Sequence, residues 1–159
     1  MVDGVNYLTI PSKRQKVEGV ISSTRGGTIM LEKIMQTKLK TIPYGATIIE
    51  AAEKMRQESI GGLLIEGKGG FVGFLTDTDI VRKGVGNKKN LTDTKVEELM
   101  STTLPTIQVS KTSHEAFDLM GDLGLRHLLI CNGDEIVGLV SLRDLLLYFR
   151  SLEPNIGVD

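Results

Sequence analysis

The sequence predicts an α+β fold made of two copies of one β-α-β-β-α unit, packed through their sheets with pseudo-twofold symmetry. Three observations predict it: the chain matches itself at an offset of 65 residues, each copy opens a helix with the same capping signature, and each copy ends on the same strand-to-helix junction. That junction is "GFLTDTDIV", Gly73 to Val81, and it returns as "GLVSLRDLL", Gly138 to Leu146. The same offset lays "LEKIMQTKLKTI" (31–42) on "VEELMSTTLPTI" (96–107), and "TIIEAAEKM" (47–55) on "TSHEAFDLM" (112–120). About fifteen positions are identical over roughly fifty residues without a gap, so the repeat is established before any single element is assigned.

Each copy then reads by period. "KTIPY" and "PTIQV" are short β-prone segments. Thr47 to Glu50 and Thr112 to Glu115 follow the S/T-x-x-E pattern, in which hydroxyl and carboxylate satisfy the free amides of a starting helix. Ile48, Ala51, Ala52 and Met55 keep helical spacing, as do Ala116, Phe117 and Met120. Glycines end these helices, near Gly61-Gly62 and at Gly121 to Gly124. "LLI" then runs through a turn into "FVGFL" or "IVGLV", a hairpin whose strongest signal is Asn132-Gly133. A second helix is expected from Asp79 past Lys83, and from Asp144 to Arg150. Helices this short and a sheet with one apolar face need a second copy to close a core.

The organisation expected is an N-terminal arm over 1–30, a first repeat over 31–90, a second over 91–152, and a tail over 153–159. "KGVGNKKNLTDTKV" (83–96) reads as a linker and lead-in. Of 159 residues 40% are hydrophobic and 25% charged, a soluble globular composition with net charge −1. That balance gives no footprint for nucleic acid or for an anionic membrane. No apolar run reaches the roughly 20 residues that span a bilayer, and no secretion signal is seen. One cysteine, Cys131, excludes an internal disulfide framework. A cytoplasmic protein is expected.

The junction suggests chemistry. Gly73, Leu75, Thr76 and Asp79 set a strand end against a helix N-terminus, where free amides and the helix dipole favour phosphate. The Asp repels phosphate but suits the two neighbouring hydroxyls of a ribose. Thr76/Asp79 and Ser141/Asp144 are thus candidates to hold a nucleotide. The competing reading is purely structural, because T-x-x-D is also a capping box and repeats copy caps as readily as sites.

From about residue 31 to 150 the chain resembles a tandem pair of CBS domains, the Bateman module, named after cystathionine β-synthase. The resemblance rests on the openings ending at Met35 and Met100, the "GLRHLLI" strand (124–130), the G-h-h-T/S-x-x-D ends and the order of elements. It implies that Thr76 and Ser141 contact phosphate and that Asp79 and Asp144 contact ribose. It further implies that Thr41-Ile42 and Thr106-Ile107 flank the base, and that Gly61-Gly62 and Arg126-His127 face the cleft. Arg126, His127 and Arg143 stand where the first copy has Gly61, Gly62 and Thr78, so a ligand's phosphates are expected nearer the second copy.

The implied protein is a stand-alone regulatory module, not an enzyme. It would bind AMP, ADP or ATP between the repeats, ahead of S-adenosylmethionine or NAD, with no covalent cofactor and no metal. It would form a disc-like homodimer through outer helix faces and signal to a separate regulated protein by a conformational change. The alternative is an interaction or scaffold dimer whose clefts take no ligand. His114 and His127 with Cys131 make no metal-ligand spacing, and "GKGG" (67–70) lacks the frame of a P-loop. Cys131 reads as small-hydrophobe packing, and Met35, Met55, Met100 and Met120 as core filling.

Overall fold

A computed structural model describes residues 6–9 and 29–152. The tail expected over 153–159 and most of the arm expected over 1–30 lie outside the described residues.

The elements are β1 (Asn6–Thr9), a 3-10 turn (Leu31–Lys33), β2 (Thr41–Pro43), α1 (Ile48–Glu58), β3 (Gly62–Gly67), β4 (Gly70–Thr76) and α2 (Asp77–Asp79). A π-helical segment (Ile80–Val85) and a second 3-10 turn (Val96–Glu98) follow. Then come β5 (Thr103–Gln108), α3 (Ser113–Leu123), β6 (His127–Asn132), β7 (Glu135–Ser141) and α4 (Leu142–Leu152). β2 runs parallel to β3, which pairs antiparallel with β4. β5, β6 and β7 repeat that pattern, with β1 beside β5 at the sheet edge. The registers correspond across the repeat: Thr41 opposes Leu64 as Thr106 opposes Leu129, and Gly62 opposes Thr76 as His127 opposes Ser141. The fold is α+β with two β-α-β-β-α repeats, as the sequence predicts.

Both helix starts are the predicted capping boxes. Thr47 N donates to Glu50 Oε2 at 2.6 Å while Glu50 N donates to Thr47 Oγ1 at 3.3 Å. The same pair at Thr112 and Glu115 measures 2.9 and 3.2 Å. The helix ends differ from expectation in one copy. α3 stops at Gly124 with φ +63°, but α1 stops at Ser59 with φ +53°, ahead of Gly61-Gly62. Serine tolerates the left-handed region less well than glycine, so this exit is held by the Ser59 and Ile60 amides, which donate to the Arg56 and Met55 carbonyls.

The described residues from 29 onward fall into two compact units, and these are not the two sequence repeats. One spans 39–104; the other joins 29–38 to 105–152. In the first, Ile42, Ile48, Ala51, Met55, Leu63, Ile65, Leu75 and Ile80 form a core with Val96 and Leu99, which come from the opening of the second repeat. In the other, Leu31, from the opening of the first repeat, joins Ile107, Ala116, Leu119, Met120, Leu128, Ile130, Val140 and Leu145. Each buried Leu or Ile contributes about 1.5–3 kcal/mol, so these openings belong energetically to the cores they enter.

Two contacts dock each opening. Gln36 and Leu139 exchange backbone hydrogen bonds at 2.8 and 3.0 Å, as Ser101 and Phe74 do at 2.9 Å each. Met35 lies over Gly138, and Met100 over Gly73; a Cβ on either glycine would overlap the methionine sulfur. These glycines of the "VGF" and "VGL" strands therefore serve a close approach of side chain to backbone.

The segment 83–96 is also better ordered than a linker needs to be. Ile48 N donates to Thr94 O at 2.9 Å, Ile49 N to Leu91 O at 3.0 Å, and Val96 N to Ala46 O at 2.9 Å. It thereby satisfies amides of the first turn of α1 that a helix alone leaves open.

Candidate functional site

Each repeat ends where a strand hands over to a helix, and both handovers are built alike. Asp77 N donates to Gly61 O at 3.0 Å, and Leu142 N donates to Arg126 O at 2.9 Å. These bonds draw the residue before the "LLI" strand against the T/S-x-x-D end. Gly61, Gly62, Thr76 and Asp79 come together in one unit, and Arg126, His127, Ser141 and Asp144 in the other.

Both ends form capping boxes. Thr76 donates to Asp79 Oδ2 through its amide at 3.0 Å and its hydroxyl at 2.7 Å, and Asp79 N donates back to Thr76 Oγ1 at 3.1 Å. Ser141 and Asp144 repeat this at 2.9, 2.6 and 3.2 Å. The cap thus uses one carboxylate oxygen, Oδ2, and leaves Oδ1 to other partners. A carboxylate offers about four acceptor positions, so capping and ligand contact are compatible.

The partners of Oδ1 differ between the copies. Asp79 Oδ1 lies 2.7 Å from the Lys83 ammonium. Lys83 Nζ also donates to Leu99 O at 3.0 Å and to Ser101 Oγ at 3.5 Å. Burial pushes the Asp79 carboxyl up, but the Lys83 ammonium and the Thr76 hydroxyl and amide outweigh it and hold it below the ordinary aspartate range. Asp144 instead accepts from the neutral Gln36 amide, at 3.2 Å on Oδ1 and 3.0 Å on Oδ2. Lys83 and Gln36 were not singled out by the sequence. A 65-residue shift sets Lys83 against Tyr148, so the repeat comparison hides it.

The helices differ too. α4 runs for eleven residues, whereas α2 lasts three before turning into the π-helical segment. The second helix expected from Asp79 onward is therefore not a regular α-helix. Gly86 N reaches back to Val81 O at 2.8 Å, and Lys89 N to Gly84 O at 3.0 Å. Gly84 lets this widened turn sit against Leu91 and Leu99, and Gly86 leaves no room for a Cβ beside the Arg82 carbonyl.

The remaining candidates divide. Ile42 and Ile107 belong to the cores of their units, at 4% and 6% exposure. Thr41 is half-buried and donates to Glu66 Oε2 at 3.4 Å. Thr106 is buried and hydrogen-bonds the Cys131 thiol, which burial pushes up. Cys131 is fully buried, which agrees with packing. Arg126 and Arg143 are exposed and His127 is half-buried. Gly62 has the Phe74 ring where a side chain would stand. Among the described residues no group of three or more His, Cys, Asp or Glu is placed to hold a metal ion, and no helix is long and apolar enough to cross a membrane.

Comparison with known proteins places these features. The CBS domain family model matches residues 31–86 and again 96–151. The CBS domain-containing protein YhcV of Bacillus subtilis is 33% identical over 119 residues, covering 75% of this chain and 84% of that protein. An uncharacterized conserved protein from Pyrococcus horikoshii superposes with a TM-score of 0.71 at 28% identity, covering 79% of this chain and 93% of the other. A CBS-domain containing protein from Agrobacterium tumefaciens superposes at 0.72 over 82% of this chain and 99% of its own, with 18% identity, and so shares the fold. With both T/S-x-x-D junctions built in the same geometry and the family model matched twice, the chain belongs to the CBS domain family as a tandem pair.

Proposed function

We propose that this chain is a regulatory module that binds an adenosine nucleotide (AMP, ADP or ATP) and signals to a partner protein by a change of conformation. Ser141 and Thr76 serve the phosphate side, and Asp144 and Asp79 serve the ribose hydroxyls. The observation that carries this reading is that Oδ2 of each carboxylate serves the cap, while Oδ1 accepts from a side chain outside the cap, Lys83 at Asp79 and Gln36 at Asp144. The exposed Arg126 and Arg143 support phosphates nearer the second copy. A bound nucleotide shifts a conformational equilibrium only by its difference in affinity for the two states.

The test is a melting-temperature screen against adenine nucleotides. Ligand at about one hundred times its dissociation constant adds roughly 2.7 kcal/mol, several degrees for a chain of this size. The double variant Asp79→Asn with Asp144→Asn loses the shift yet melts nearly as the wild type does, because the asparagine oxygen still accepts the Thr76 and Ser141 amides. A homodimer is part of the same reading. Leu146, Leu147 and Phe117, on α3 and α4, are exposed apolar residues of the kind such a contact buries. Sedimentation at micromolar concentration checks it.

A second reading has its own support. Both carboxylates already have donors without any ligand, as a cap-only role in a scaffold protein requires. It predicts no nucleotide shift.

A further inference from the structure

We propose that Lys83 is a specificity-determining residue that holds the first-repeat carboxylate against ligand, so that a nucleotide fills the Ser141/Asp144 site first. The inference rests on the nucleotide reading above and deepens it.

Three independent features point the same way. First, a sugar hydroxyl approaching Asp79 Oδ1 must displace or share a charged donor at 2.7 Å that is itself held by the Leu99 carbonyl at 3.0 Å. A hydroxyl brings a hydrogen bond but no charge to offset the carboxylate, so it is a poor substitute for the ammonium. At Asp144 the same hydroxyl replaces the Gln36 amide, a neutral donor at 3.0–3.2 Å, and the exchange is close to even. Second, α4 carries eleven residues of regular helix behind Ser141, with its amides aligned toward an anion. Behind Thr76 only three such residues precede the π-helical segment. Third, the Phe74 ring takes the space beside Gly62 where the second copy has His127. The first copy therefore offers phosphate no side chain at Gly62, where the second copy has the His127 imidazole.

The position is specific to one copy. The residue equivalent to Lys83 in the second repeat is Tyr148, which carries no charge. Lys83 also bonds residues Leu99 and Ser101 of the docked opening, so its release from Asp79 is coupled to how that opening is held.

Calorimetric titration of the full chain with AMP tests this. The wild type is expected to take one AMP per chain tightly, with binding lost in Asp144→Asn and kept in Asp79→Asn. Lys83→Gln is expected to tighten the first-repeat site by at least about fivefold, bringing a second AMP per chain into range. Adding Asp79→Asn to Lys83→Gln removes that second site. Lys83→Arg, which keeps a cation beside Asp79, is expected to stay at one. A thermal melt confirms that each variant is folded. Two equal sites in the wild type, or weaker binding in Lys83→Gln, overturn this inference while leaving the nucleotide reading intact. Absence of binding in every variant overturns both.

Discussion

Gln36 Nε2 donates to both carboxylate oxygens of Asp144, at 3.2 and 3.0 Å, across 108 residues of chain. One side chain from the opening of the first repeat thereby touches the junction that closes the second. The bond is exposed, and its loss is worth less than a buried bond. Gln36→Ala is expected to lower stability by no more than about 1 kcal/mol, read from urea unfolding, with the Ser141 cap intact.

The fit of Met35 over Gly138 predicts a stronger effect. Gly138→Ala forces the methionine aside and is expected to destabilise by about 1–3 kcal/mol. Adding Met35→Ala returns part of that loss, with a coupling of at least about 0.5 kcal/mol in the double-mutant cycle. Gly73→Ala with Met100→Ala behaves alike in the other unit. Additive losses in both cycles contradict the docking of the openings.

The capping boxes are expected to be independent of any ligand. Thr47→Ala and Thr112→Ala each lose about 1 kcal/mol, while serine at either position restores most of it. Thermal or urea unfolding measures both.

Acid weakens the unit that holds Asp79. Its folded pKa lies below the unfolded one, so its contribution is present above the unfolded value and disappears as pH falls through the depressed one. Glu50 and Glu115 are lowered as well: Glu50 by the Thr47 amide and hydroxyl, Glu115 by the Lys111 ammonium and then by Thr112. Stability is therefore expected to drop from about pH 5 downward. Asp79→Asn is expected to flatten part of that slope in urea melts from neutral pH to about pH 3. An unchanged slope rules out the Asp79 contribution.

Most of the fold was legible because repeats, caps and turns are local signals. Thr47/Glu50, Thr112/Glu115 and the Asn132-Gly133 turn needed only neighbours in sequence. The docking of each opening on the other repeat was not legible. "LEKIM" and "VEELM" match one another, and Gly73 and Gly138 offer alike seats, so sequence alone does not say which methionine takes which. The π-helical segment left no periodic signal, since Gly84 and Gly86 read as linker until Leu91, Leu99 and the Arg82 carbonyl surround them. Lys83 escaped notice because a helical i,i+4 neighbour of Asp79 counts only once Leu99 is known to lie within reach.

The most direct measurement is a crystal structure grown with millimolar AMP. The ribose hydroxyls are expected within hydrogen-bonding distance of Asp144, the phosphate at Ser141 Oγ, and Gln36 displaced from the carboxylate. A junction still closed by Gln36 and Ser141, with no nucleotide beside it, would rule out the nucleotide site.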